Sequence, residues 1–508
     1  MLGKKISLLF LFSVLGLTSY SQSKLVTLDK YFTDLYKNKR FNGNILIAEH
    51  GKILYQKSFG YADLDLKKVN MPSINFPICS ITKTFVTTAI LQLLDQGKLK
   101  LSDKVGQYLS LFPYSDITIE HLLANTSGLP PYDELMDSLR IAHPDTLFTN
   151  LDILKRYARM KLPLMEEPGT SIHFSNINSM LASMIVEKIS GLPFGDYVNL
   201  HILIPAGMTH TFFPKNNFYH WNEEEKKNLT QLYFFPHFYS ENLIKSDTVK
   251  FFSNYWHAFH ITGEGEMIST TGDLLKYDQA LYNGKLISEK SSRLSYKPVP
   301  LPKGKKNLSN IGLNWMGSKD SSMGKIVRFS GGAIGIKTEI IRNISRNQTI
   351  ILFDNTNNLI DEVGLDALKI LNGKIAHAQG KSLAKIFGIT LLSKGVMEAR
   401  NELNKYKSDK INYSLIETEF NDLGEDLMGS NEIASLVEGD RAPKDEEALE
   451  VFKITTELFP KSWNAFDSYG EALTKVGNTE EAIKMYKKSI ELNPKNENGK
   501  KALDGLIK

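Results

Sequence analysis

Ser80 and Lys83 stand three residues apart in Phe76-Pro77-Ile78-Cys79-Ser80-Ile81-Thr82-Lys83, directly before a strongly apolar stretch. If that stretch is helical, both side chains share one face, a turn apart. At that spacing a lysine amine can take the proton of a serine hydroxyl and so make a nucleophile without a Ser-His-Asp triad. The chemistry this allows is acyl transfer, in which the hydroxyl attacks a carbonyl and carries the acyl group. It requires a neutral amine, which burial favours. Ser80 also has a plainer reading as a helix N-cap. Cys79, the only cysteine, reads as a small buried apolar residue beside the helix start, and a single cysteine excludes an intrachain disulfide.

The elements that must hold this pair are legible around it. Helix signals run from Ser80 to Gln96 and stop at Gly97. Leu28, Tyr31, Phe32 and Leu35 recur at helical spacing, and Asn44–Ala48 and Ile53–Ser58 read as a β-hairpin about Gly51. Residues 117–200 read as mainly helical, and the aromatic-rich stretch 214–262 as an irregular lobe over a groove. Short β-branched runs return at Lys325–Phe329, Lys337–Arg342 and Gln348–Asp354, followed by a helix over Ile360–Leu371. A hairpin early, strands late and helices between predict an α+β domain of residues 24–372, with one antiparallel sheet joining its two ends of chain.

Residues 373–392 read as a linker or cover segment, and 393–508 as an all-α region. There Glu446-Glu447-Ala448-Leu449 recurs as Glu480-Glu481-Ala482-Ile483, and Pro460 recurs as Pro494, a period of 34 residues. That period, with a small inner-face Ala and a closing Pro, is a tetratricopeptide signature, and a divergent helix pair precedes it near Leu415. Such repeats suit a peptide or protein partner, or serve as a structural cap. At the other end, Lys4 and Lys5, an apolar run Ile6–Leu17 and Ser19-Tyr20-Ser21 read as a cleaved export signal over residues 1–21. The run is too short to span a bilayer comfortably. The expectation is an exported protein, periplasmic or extracellular, with no integral membrane span after signal removal. Over 508 residues the formal net charge is +4 with scattered basic residues, which gives no footprint for nucleic acid.

Four further segments follow Ser-x-x-Lys in a fixed order: Leu122-Leu123-Ala124-Asn125-Thr126-Ser127-Gly128-Leu129-Pro130, Pro168-Gly169 with Phe174-Ser175-Asn176, Gly265-Glu266-Met267-Ile268-Ser269-Thr270 with Asp273-Leu274, and Phe329-Ser330-Gly331-Gly332. Together they resemble the serine β-lactamase-related hydrolases: class C β-lactamases, D-alanyl-D-alanine carboxypeptidases and esterases. The resemblance covers residues 24–372 and leaves the repeats outside. It implies a β-lactamase/transpeptidase-like fold, Ser80 as nucleophile, Lys83 as general base and Asn176 holding the lysine and the substrate amide. It also implies an oxyanion hole from the backbone N–H groups of Ser80 and Gly332, where one donor is typically worth about 3 kcal/mol. Tyr132, Phe174, Phe329, Ser330 and Gly331 would border the substrate groove. No cofactor is implied, and no metal-ligand spacing stands in the chain.

Two departures bear on activity. The family carries Tyr where this chain has Phe174, so the hydroxyl that relays protons is missing; such groups contribute ~10²–10⁴ in rate. It carries His or Lys where Phe329 stands, so that wall of the groove is expected to be apolar and to favour an ester, amide or peptide without a required carboxylate. Adjacent His173 is expected to face away. The leading expectation is a serine hydrolase acting through Ser80. The rival is a catalytically silent groove that holds a ligand while the repeats dock a protein partner.

Overall fold

The structure, a computed structural model, describes residues 23–132, 136, 138, 139, 142, 143, 146–214, 226–249, 259–302, 304–308, 310–318, 321–356, 358, 360–377, 380–438 and 442–507. The export signal read over residues 1–21 lies outside them. After helix α1 (residues 23–37) come strands β1 (Gly43–Glu49) and β2 (Lys52–Phe59), then helices α2 (Thr82–Asp95), α3 (Asn176–Ser190) and α4 (Thr271–Tyr282). Strands β3 (Met316–Gly317), β4 (Ile326–Ala333), β5 (Ile336–Asn343) and β6 (Gln348–Asp354) follow, then helix α5 (Asp361–Leu371).

The strands form one antiparallel sheet in the order β3-β4-β5-β6-β1-β2, so the early hairpin and the late strands are neighbours. Side chains alternate across it with the period of two that a pleated strand imposes. Leu46 and Ala48 of β1 and Ile351 and Phe353 of β6 face a core shared with α2, α3 and α4. Ile45, Ile47, Ile350 and Leu352 face the opposite core, filled by Phe32 and Leu35 of α1 and by Val363 and Ala367 of α5. The central strands are therefore buried on both faces, which is why they read as near-continuous apolar runs rather than as alternating ones.

Two compact units divide the chain: one holds the residues up to Phe234 together with Lys245–Ala376, the other Phe235–Ile244 together with His377–Lys508. The expected linker is corrected here. Leu383–Lys394 is a helix, α6, because Leu383, Ala384, Phe387 and Leu391 lie on one stripe and bury it in the second unit. Helices α7 (Val396–Tyr406), α8 (Glu417–Leu427), α9 (Asp445–Leu458), α10 (Trp463–Lys475), α11 (Thr479–Leu492) and α12 (Glu497–Ile507) follow. Ala448 of α9 and Ala482 of α11 are fully buried at equivalent places, and Gly470 of α10 lets the Tyr486 ring approach its backbone. The ten residues Phe235–Ile244 are held in this unit by Asp426, which bonds His237 Nδ1 at 2.9 Å and accepts the Phe238 N–H at 2.7 Å. Among the described residues no helix is long and apolar enough to cross a membrane.

The first unit is pinned internally by a buried ion pair. Arg342 of β5 bonds Asp278 of α4 and the Tyr296 hydroxyl, and Thr349 of β6 donates to Asp278 at 2.6 Å. Both charged side chains are 2% exposed. Asp278→Ala leaves a buried guanidinium without its counter-ion. It is expected to cost about 3–5 kcal/mol, read as a lowered urea midpoint of tryptophan fluorescence.

Candidate active site

The sequence around Ser80 forces a sharp reversal. The two-residue strand Phe76–Pro77 pairs with Ile268–Ser269, and a 3₁₀ turn over Cys79–Ile81 then leads into α2, which starts at Thr82 rather than at Ser80. Cys79 makes the reversal with a left-handed φ of 47°, a conformation that costs a non-glycine residue about 1–3 kcal/mol. The turn is clamped from the sheet side. Thr338 Oγ1 of β5 donates to the Ile78 carbonyl at 3.0 Å, and a Cβ on Gly331 would lie 2.4 Å from that same oxygen. Only a glycine lets β4 pass so close, so Gly331 is a spacer between sheet and nucleophile.

Within the turn, Lys83 Nζ donates to Ser80 Oγ at 3.0 Å and also to the Glu264 carbonyl. Lys83 is 1% exposed. Burial pushes its ammonium down to about 8, against the opposing pull of the Glu264 and Glu266 carboxylates. Burial raises Glu266, which is opposed by N–H groups of its own loop: its carboxylate accepts those of Gly263, Glu264 and Gly265 at 2.7, 3.2 and 2.9 Å. Glu266 thus folds residues 263–266 into a fixed loop that presents the Glu264 carbonyl to the lysine. The Cys79 thiol is pushed up to about 12 by burial and stays protonated.

Ser80 opens onto a cavity of about 470 Å³. Asn176, Tyr132, Gly332 and Ala333 stand on its walls, with apolar surface from Met136, Leu151, Met184, Phe194, Phe213 and Ile261. Of the residues expected from sequence, Ser80, Lys83, Tyr132, Asn176 and Gly332 are therefore brought together. Asn176 faces the cavity at the N-terminus of α3 and is not one of the two hydrogen-bond partners of Lys83.

Four expected groove residues are placed differently. Phe329 is 7% exposed and belongs to the core beneath the sheet, because it shares the inward face of β4 with Val327. Ser330 alternates to the other face of β4, opposite Glu339 on β5. Gly331 is buried against the nucleophile turn, as described. Phe174 is 59% exposed, does not line the cavity, and holds its ring 5.4 Å from Lys83 Nζ. His173 Nε2 lies 3.9 Å from Glu166.

Sequence reasoning missed three charged groups. Glu264 and Glu266 line the cavity. The one available signal was that Glu266 stands where the resembling segment has Gly. Lys337, paired with Gly332 across β5, brings an ammonium to the strand: a Cβ on Gly332 would lie 3.1 Å from its Nζ.

A six-stranded antiparallel sheet between helical layers, with a serine and a buried lysine one turn apart against it, is the architecture of the β-lactamase and penicillin-binding class of serine hydrolases. This chain belongs to the Beta-lactamase family, whose family model matches residues 28–373. Penicillin-binding protein 4* of Bacillus subtilis (strain 168) is 33% identical over 341 residues, covering 66% of this chain and 72% of that protein. Among solved structures, the octameric penicillin-binding protein homologue from Pyrococcus abyssi shares the fold at a TM-score of 0.58 and 21% identity, over 69% of this chain and 78% of its own. EstCE1, a hydrolase with promiscuous acyltransferase activity, does so at 0.56 and 21%, over 69% and 98%.

The charge balance at Lys83 gives a pH dependence. The neutral amine is the base, so acylation of Ser80 should rise with pH and level off above a midpoint near 8. Glu266→Gln removes a charge that favours the ammonium, so its midpoint should move to lower pH. Stopped-flow acylation by an activated ester between pH 5 and 10 measures both.

Proposed function

We propose that this chain is a serine hydrolase that forms an acyl-enzyme on Ser80 with Lys83 as general base, and that its substrate is an ester, amide or peptide. The observation that carries this is the 3.0 Å contact between a buried, easily neutralised amine and a hydroxyl at the mouth of a cavity. Ser80 attacks the carbonyl carbon, Lys83 takes its proton, and the N–H groups of Ser80 and Gly332 receive the oxyanion. Lys83 then passes the proton to the leaving group. Apolar walls suit an apolar acyl group, and Lys337 leaves room for a carboxylate at the β4 side. A passive binding groove has no use for an amine desolvated beside a hydroxyl, so the geometry favours the enzyme over the silent reading.

For the remainder of the chain the reading is an exported protein whose α9–α12 are tetratricopeptide repeats serving a peptide or protein partner. Support comes from the 34-residue recurrence of Ala448 and Pro460 and from the close packing at Gly470.

A fluorophosphonate probe should label the full-length protein at one residue, and Ser80→Ala should remove the label altogether. Labelling retained in that variant refutes the assignment. Phe174→Tyr restores the family hydroxyl. Because Phe174 lies outside the cavity, turnover of a nitrophenyl ester should rise less than about tenfold, below the ~10²–10⁴ of a lone acid–base group.

A further inference from the structure

The acyl-enzyme on Ser80 is released only if water attacks it and a base takes the proton of that water. Phe174 has no group that can do so. Lys83 is 1% exposed, enclosed by Ser80 and the Glu264 carbonyl, and is not on the cavity wall. A different side chain fits this role. Glu264 lines the same cavity as Ser80, and its carboxylate Oε2 accepts from the hydroxyl of Tyr132, another residue of that wall. Tyr132 is 2% exposed, and the chain leading to it is fixed by Tyr157, which donates to the Pro130 carbonyl at 3.1 Å. The Glu264 backbone is fixed from the other side by Glu266 and Lys83. A carboxylate anchored through both its main chain and one oxygen is held still on the cavity that Ser80 also lines.

We propose that Glu264, oriented by Tyr132, is the general base of the deacylation step, in place of the hydroxyl that Phe174 lacks. The proposal rests on the acyl-enzyme reading above. In that step the water oxygen bonds to the acyl carbon and one water proton passes to the Glu264 carboxylate. As the bond from carbon to Ser80 Oγ breaks, the proton returns from Glu264 to Oγ. The products are the free acid, the Ser80 hydroxyl and the Glu264 carboxylate, so one water is consumed and no other reactant is needed. Tyr132 is a positioning residue that acts through its hydrogen bond to the base.

The other ionisable groups on the cavity wall are less suited. Glu187 accepts the Phe194 N–H at 2.9 Å, Glu266 is engaged by three N–H groups, and Asp196 is exposed on a short helix. His260 lies on the strand paired with Phe148–Thr149.

The test is a burst experiment on the full-length protein with p-nitrophenyl butyrate, followed by intact mass spectrometry. Glu264→Gln keeps the backbone carbonyl that holds Lys83, so it should release close to one equivalent of nitrophenol per protein. It should then turn over roughly 10²–10⁴-fold more slowly than wild type, with the butyryl adduct accumulating on Ser80. Glu264→Asp should recover part of the steady rate. Tyr132→Phe should keep the burst and slow the steady phase, while also displacing the pH profile of deacylation, which a purely structural role would leave in place. Steady turnover of Glu264→Gln within about threefold of wild type overturns the proposal. So does loss of its burst, since the residue then acts in acylation or folding, and so does an adduct trapped by His260→Gln instead. Failure of a fluorophosphonate to label Ser80 in the wild-type protein refutes the acyl-enzyme reading itself, a result distinct from these.

Discussion

The desolvation of one lysine amine organises the first unit. Moving Lys83 from the ordinary range of a lysine, 10.5, to about 8 corresponds to about 3 kcal/mol in favour of the neutral form. That preference exists only while water is kept away and the opposing carboxylates stay in place. Helix α2 buries the stem of the lysine among apolar neighbours, and the loop 263–266 supplies a carbonyl to its Nζ. Glu266 holds that loop in shape. Remove any of these and the amine either gains water and protonates or loses its direction toward Ser80.

Burial of the amine also sets a direction for stability. A lysine whose folded pKa lies below its unfolded value binds fewer protons when folded. Stability therefore rises with pH between about 8 and 10.5, and at neutral pH, below both values, the native state carries the full cost of burying this amine in its charged form. The left-handed Cys79 adds a second local cost. Such costs are tolerated where the surrounding structure over-determines the site, here through a sheet buried on both faces and the Arg342–Asp278 pair. Gly331 and Thr338 transmit that rigidity to the Ile78 turn, so the nucleophile is positioned by the sheet and not by α2 alone.

Much of this was legible in the residues. The Ser80–Lys83 spacing, the early hairpin and the late strands follow from periodicity, because each depends on neighbours in sequence. Asn44–Ala48 and Gln348–Asp354 become partners with almost the expected limits. What failed to be legible depended on which face of a strand meets which neighbour. Phe329 and Ser330 were expected in the groove because their segment resembles one that lines it, yet the pleat sends Phe329 into the core and Ser330 to the opposite face. Lys337 became relevant only through cross-strand pairing with Gly332. The helix Leu383–Lys394 was hidden because its apolar stripe is nearly matched by apolar residues elsewhere around it, so it read as an unpatterned segment.

The cavity also explains why Phe174 can be retained in this chain. A phenol at that place would have to reach the space between the lysine and the substrate, but Phe174 sits mostly in solvent with its ring turned to Lys83 Nζ at 5.4 Å. The face of a phenyl ring attracts an ammonium, by about 0.5–1 kcal/mol where exposed. Its effect therefore has the same sign as that of Glu264 and Glu266, favouring the charged lysine, and opposite to burial. Burial outweighs the Glu264 and Glu266 carboxylates, which hold the amine near 8 instead of far lower. The amine thus remains able both to accept the Ser80 proton and to give it up, which a fully desolvated lysine would do poorly. The hydroxyl's proton-handling role and the ring's electrostatic role are separable, and this chain keeps the second on Phe174 while Glu264 and Tyr132, joined by a hydrogen bond, stand on the cavity wall.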